Sequence, residues 1–288
     1  MDKAGTHAIV IGAGIGGIVA ARVLADRFDA VTVVERDRLP AGIAPRKGVP
    51  HGRHAHGLLA RGREALEELF PGLTQDLVAA GAVRGDILAE ASWFNHGVYL
   101  ASAPSGLEGI LVSRPMLEGH ARRRLLADER VRLLEGVSVR GLLAGAGNRR
   151  VTGILLAEPL PGETEATMQA DLVVDASGRH SHSPDWLAAL GYAKPQEETI
   201  GVDIAYTTRM FRRRPGHLGG KKVALIAADA PVWRFGVALA IEDDRWIVTI
   251  GGYFGDMPAT NDRAYLEFAR TLPAPDVADL LAVAEPVS

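Results

Sequence analysis

The chain has 288 residues, 47% of them hydrophobic, with 32 Lys and Arg against 35 Asp and Glu and no cysteine. That length buries a large core in one or two domains, and a net charge of −3 gives no global attraction to nucleic acid or anionic lipid. The absence of cysteine excludes disulfides, thiolate metal sites and a cysteine nucleophile.

Residues 8–35 read AIVIGAGIGGIVAARVLADRFDAVTVVE. They predict a strand (Ala8 to Ile11), a glycine turn, a helix from about Ile15 to Arg27, and a strand (Ala30 to Val34) ending on Glu35. In the turn, Gly12 permits the tight bend, Gly14 lets backbone approach a pyrophosphate, and Gly17 lets helix pack on strand. Ala13 and Gly16 complete it. The helix N-terminus offers free N–H groups to a diphosphate, and Glu35 stands where a carboxylate accepts bonds from ribose hydroxyls. The run is broken by glycines and has no basic leader, so it is read as strand and helix, not as a signal peptide. No stretch is long enough to span a bilayer, and the expected location is cytoplasmic.

A long polar passage follows, RDRLPAGIAPRKGVPHGRHAHG, too long for a simple connection and of a kind that is usually functional or disordered. A helix is expected from about His56 to Phe70, stopped by Pro71–Gly72, and strand-like pieces over 86–100. SRPMLEGHARRRLLAD predicts a helix with Ser113 as N-cap and Pro115 in its first turn. Three strands are expected at Val131 to Glu135, Ser138 to Leu143 and Val151 to Leu156, the last two joined by GAGN. DLVVDASG reads as a strand entering a glycine turn, and a short helix spans Trp186 to Leu190. Alternating runs at 200–211, 222–229, 232–241 and 245–253 predict an antiparallel sheet, followed by helices near 260–271 and 275–283. The fold class is α/β: a Rossmann-like parallel sheet over 1–185, then a substrate domain over 186–288 built on an antiparallel sheet. The segment 86–100 is a candidate member of that second sheet.

Four stretches, VIGAGIGG…VVER, RKGVPHGRHAHGLLARGREALEELFPG, SRPMLEGHARRRLL and DLVVDASGRHS, together resemble the FAD-dependent monooxygenase superfamily of aromatic hydroxylases and squalene epoxidase. The nearest look-alikes are the epoxidases of polyether antibiotic pathways, and the resemblance covers essentially the whole chain. It implies FAD as cofactor, NAD(P)H as a possible electron donor, O2 as co-substrate and a small apolar substrate. It also implies that Gly12, Gly14 and Gly17 hold the FAD pyrophosphate and Glu35 the adenosine ribose. Arg36, directly after the acid, is either a cofactor contact or a solvated charge. Arg46 lies where the family often sends an arginine to the phosphates, a task open equally to Lys47 or Arg53. Arg114, in the family's Arg-x-x-Leu pattern with Leu117, is expected to reach the FAD, and Val137 to give adenine a backbone contact.

Two departures bear on the activity. Ser177 in Asp175-Ala-Ser-Gly178 stands where the family places an aspartate associated with flavin and NAD(P)H, which leaves room for a separate flavin reductase. The family's Gly-Asp-Ala motif, which binds the FAD ribityl chain, is not found; Gly255–Asp256 lies in the substrate-domain pattern. The chain is therefore expected to be C-terminally truncated relative to the family, or completed by a partner chain.

The implied reaction is epoxidation of an apolar alkene or polyene through a flavin C4a-hydroperoxide, with no catalytic dyad required of the protein. The alternatives are an FAD-dependent isoprenoid double-bond reductase and an inactive FAD-binding subunit. A halogenase fits less well, because a Trp-x-Trp-x-Ile signature is missing, and a GxSxG hydrolase elbow is absent. His51, His54 and His56 do not have metal-ligand spacing, so no metal is expected. Arg122–Arg124 and Arg212–Arg214 are read as solvated charge. Trp233, Phe235, Trp246, Tyr253 and Phe254 are left open between an apolar substrate pocket and core packing.

Overall fold

A computed structural model describes residues 3–258 and 260–287. The chain forms two compact units, each discontinuous in sequence. The first takes residues 1–49, 69–71 and 118–198; the second takes 50–68, 72–117 and 199–288. This division differs from the expected contiguous halves, 1–185 and 186–288. The long passage after Glu35 leads the chain out of the first unit, and the helix beginning at Arg114 leads it back.

In the first unit, strand β1 (Gly5–Ile11), helix α1 (Ile15–Ala25) and strand β2 (Phe28–Glu35) follow the expected pattern. β1 lies at the middle of a parallel sheet, flanked by Leu172–Asp175 and by β2, with Val131–Glu135 outside β2. Ile9, Val10, Val31 and Val33 are buried, as the near-continuous apolar runs of a two-sided parallel strand require. Val139–Ala144 and Val151–Leu156 do not extend this sheet. They pair antiparallel with each other, and Val151–Leu156 also pairs with Thr167–Gln169, a short polar strand that carries no sequence signal.

In the second unit, a six-stranded sheet runs Ala205–Arg212, Arg245–Gly252, Arg234–Ile241, Val223–Ile226, Ala91–Asn95, Val98–Tyr99. Segment 86–100 therefore does contribute strands to it. Its pairings are antiparallel except one: Val223–Ile226 runs parallel to Ala91–Asn95, because these strands come from distant parts of the chain. Helices Asp262–Ala269 and Asp276–Val283 pack on one face, over Ala224, Ala238, Ala240, Val248 and Ile250. Trp246 is fully buried in that layer, which assigns it to the core. No helix among the described residues is long and apolar enough to cross a membrane.

Candidate functional site

The carboxyl end of β1 turns into α1 through Gly12, whose φ of +99° favours glycine. A Cβ on Gly17 would overlap the Gly12 carbonyl oxygen, so only glycine lets the helix sit this close to the strand. Gly14 caps α1 with extended backbone and no side-chain cap bond, leaving the first-turn N–H groups for a ligand. Gly16 faces open space, and nothing in the structure demands glycine there.

Glu35 is buried at the end of β2 and organises the crevice. The Ala13 N–H donates to its Oε2 at 2.8 Å and the Asp37 N–H to its Oε1 at 3.0 Å. Arg46 Nη1 also donates to Oε2, at 2.9 Å. Arg46 thus comes back from the long loop to the glycine turn, and its side chain is only 8% exposed. It meets two further carboxylates, Asp37 at 3.5 Å from Nη1 and Glu118 at 3.5 Å from Nε. Nε is a buried donor with no hydrogen bond among the described residues. Nη2 makes none of these contacts; it lies 3.6 Å from the point where a Cβ on Gly14 would stand.

Other expected residues are placed differently. Lys47 and Arg53 are exposed, and Arg36 is exposed with no ion pair among the described residues. The Val137 N–H already donates to the Glu35 carbonyl at 3.0 Å, so a contact from this residue to adenine would use its own carbonyl. Arg114 is half-buried at the start of the helix Arg114–Leu126 and belongs to the second unit. Met116 N–H donates to Ser113 Oγ at 3.3 Å, the cap expected from the sequence. Glu118 and Asp37 were not singled out by motif reading. Glu118 follows Arg114 by one helical turn, and only the fold brings it to Arg46.

At the neighbouring strand end, Asp175 accepts bonds from Ser177 N–H (2.8 Å), Ser181 Oγ (2.6 Å) and Ser183 Oγ (2.5 Å). Burial pushes this carboxyl up, but the three serines outweigh it and hold it below the ordinary aspartate value. The motif's serines therefore build a rigid turn around Asp175.

In the second unit, His54 and His56 of the loop hydrogen-bond to protein. His54 Nδ1 lies 2.8 Å from Thr208 Oγ1, which lies 2.6 Å from Thr249 Oγ1, and Thr249 accepts the Ala55 N–H at 3.2 Å. Burial, and after it the neighbouring His56, push His54 below the ordinary histidine value. Tyr206 packs edge-on against His54 at 4.7 Å, and Phe235 and Tyr253 continue this aromatic row. Trp233 and Phe254 pack on each other and remain exposed. Asp256, the acid of the Gly255–Asp256 pair, is held by Arg234 at 3.0 Å, which makes it a structural residue of this unit.

Residues 10–70 match the family of NAD(P)-binding Rossmann-like domains. Over nearly its full length the chain is similar to solved structures that include the following two. PqsL from Pseudomonas aeruginosa, a probable FAD-dependent monooxygenase, superposes with a TM-score of 0.69 at 15% identity, covering 99% of this chain and 73% of PqsL. p-Nitrophenol 4-monooxygenase PnpA from Pseudomonas putida DLL-E4 gives 0.63 at 16% identity, covering 94% and 64%. The chain shares their fold. In sequence it is 37% identical over 289 residues to protein Rv3254 of Mycobacterium tuberculosis H37Rv, covering 98% of this chain but 60% of that protein. The chain thus spans about 60% of this relative's length.

Gly12 and Gly17 let the turn and α1 pack tightly on backbone, Glu35 stands at the end of β2, and Arg46 borders the N-terminus of α1, an arrangement that fits the adenosine diphosphate half of a dinucleotide.

Proposed function

We propose that these residues form the dinucleotide-binding unit and substrate sheet of an FAD-dependent monooxygenase that epoxidises an apolar alkene or polyene. The observation that carries this reading is the meeting of Glu35, Arg46 and the open N-terminus of α1 within one unit. A bound flavin would supply the activation of O2. Glu35 accepts the ribose hydroxyls, and Gly14 with the first turn of α1 takes the diphosphate, which Arg46 neutralises. Gly12, Ala13, Gly16, Gly17 and Val137 complete that surface, and Arg114 and Arg36 are further contacts in this reading. Tyr206, Phe235 and Tyr253 offer an apolar wall to a substrate, with the His54 ring packed at its end. NAD(P)H, directly or through a separate flavin reductase, is the proposed source of electrons, since Ser177 replaces the family's aspartate. The proposed location is cytoplasmic.

The test is a visible-absorbance titration of the purified chain with FAD and with NAD. We expect a bound-flavin spectrum with FAD; binding of NAD alone would overturn the reading. With a reductase and NADPH, O2 uptake should rise when an alkene is added. Alkene reduction without O2 uptake would instead indicate the double-bond reductase, which shares the Asp-Ala-Ser-Gly turn.

A further inference from the structure

Arg46 is held by more negative charge than its own neutralisation needs. Glu35, Asp37 and Glu118 all contact one guanidinium, and all four side chains are largely buried. Three carboxylates beside a diphosphate site oppose the ligand unless they do something else. Arg122, half-buried, offsets part of this charge: burial and then Arg46 push its pKa down, while Glu118 and Glu135 push it up.

The geometry suggests what the surplus acids do. A guanidinium is planar, with its three nitrogens fixed at about 120° around the central carbon. Fixing two of them therefore fixes where the third points. Glu118 Oε2 faces Nε, and Glu35 and Asp37 face Nη1. Nη2 is left turned to Gly14, the backbone nearest the open N-terminus of α1. Glu118 is the acid that attracts the Nε edge, so without it the direction of Nη2 rests on the Nη1 contacts with Glu35 and Asp37 alone.

We propose that Glu118, aided by Asp37, is a positioning residue for cofactor binding: it orients Arg46 so that Nη2 meets the diphosphate of the dinucleotide. This rests on the reading of the crevice as a dinucleotide site. It has a counterintuitive consequence. Charge counting says that removing Glu118 tightens an anionic ligand, whereas orientation says that it weakens one.

The experiment measures FAD, ADP and adenosine binding to the 288-residue chain and to Glu118→Gln by calorimetry. We expect Glu118→Gln to weaken FAD and ADP about tenfold, the loss of one charge-assisted contact, and to leave adenosine unchanged because it carries no phosphate. In an Arg46→Lys background, which lacks the planar fork, the same substitution should have no further effect. If Glu118→Gln does not fold, Asp37→Asn carries the same test, since Asp37 anchors the Nη1 edge. Unchanged or tighter ADP binding, or an equal loss for adenosine, overturns the proposal while leaving the dinucleotide reading intact. Failure of the unsubstituted chain to bind FAD or ADP overturns both.

Discussion

Gly17 is the residue whose identity the backbone dictates most strictly. Its missing Cβ is the space taken by the Gly12 carbonyl, so Gly17→Ala must push α1 away from β1. Overpacking of this kind costs about 1–3 kcal/mol, and it also moves the N–H groups proposed to meet the diphosphate. Urea melts should show that loss, and ADP affinity should fall at least tenfold. Asp175 gives a pH-dependent counterpart. Its carboxyl is held below the ordinary value in the folded chain, so its contribution is complete above the unfolded pKa and is lost as pH falls through the folded one. Stability should therefore drop with acidification below about pH 4. In Asp175→Asn that part of the drop should be absent when urea midpoints are compared between pH 6 and pH 3. A variant as acid-sensitive as the parent would show that the serine bonds do not hold the carboxylate.

Among the elements, Arg245–Gly252 joins the two sides of the second unit. One face carries Trp246, Val248 and Ile250 into the layer under helices Asp262–Ala269 and Asp276–Val283; the other carries Ile247 and Thr249. Period-two alternation made this strand readable in the sequence, but not which face would be core. Trp246→Ala should cost about 3–5 kcal/mol, measured by denaturant unfolding, because a fully buried indole leaves a cavity. Trp233→Ala should cost far less, since that ring is 45% exposed. Equal losses would mean that the two tryptophans have been assigned to the wrong environments. The long loop after Glu35 shows the opposite limit of legibility. Its length marked it as functional or disordered, yet three basic residues in it were equivalent by sequence until the fold buried Arg46 and left Lys47 and Arg53 outside.

At the scale of the whole molecule, the β1–α1–β2 unit was determined by sequence alone. Its glycines, apolar runs and terminal acid are local features, and each element forms from residues adjacent in the chain. Ser113 as a helix cap and the final two helices were legible for the same reason. Tertiary structure decided the rest. Discontinuous units, the parallel pairing of Ala91–Asn95 with Val223–Ile226, and the gathering of Asp37 and Glu118 around Arg46 all join residues far apart in sequence. No periodicity encodes such contacts. They follow from which apolar faces can be buried together, and a buried charge is placed wherever that burial leaves it a partner.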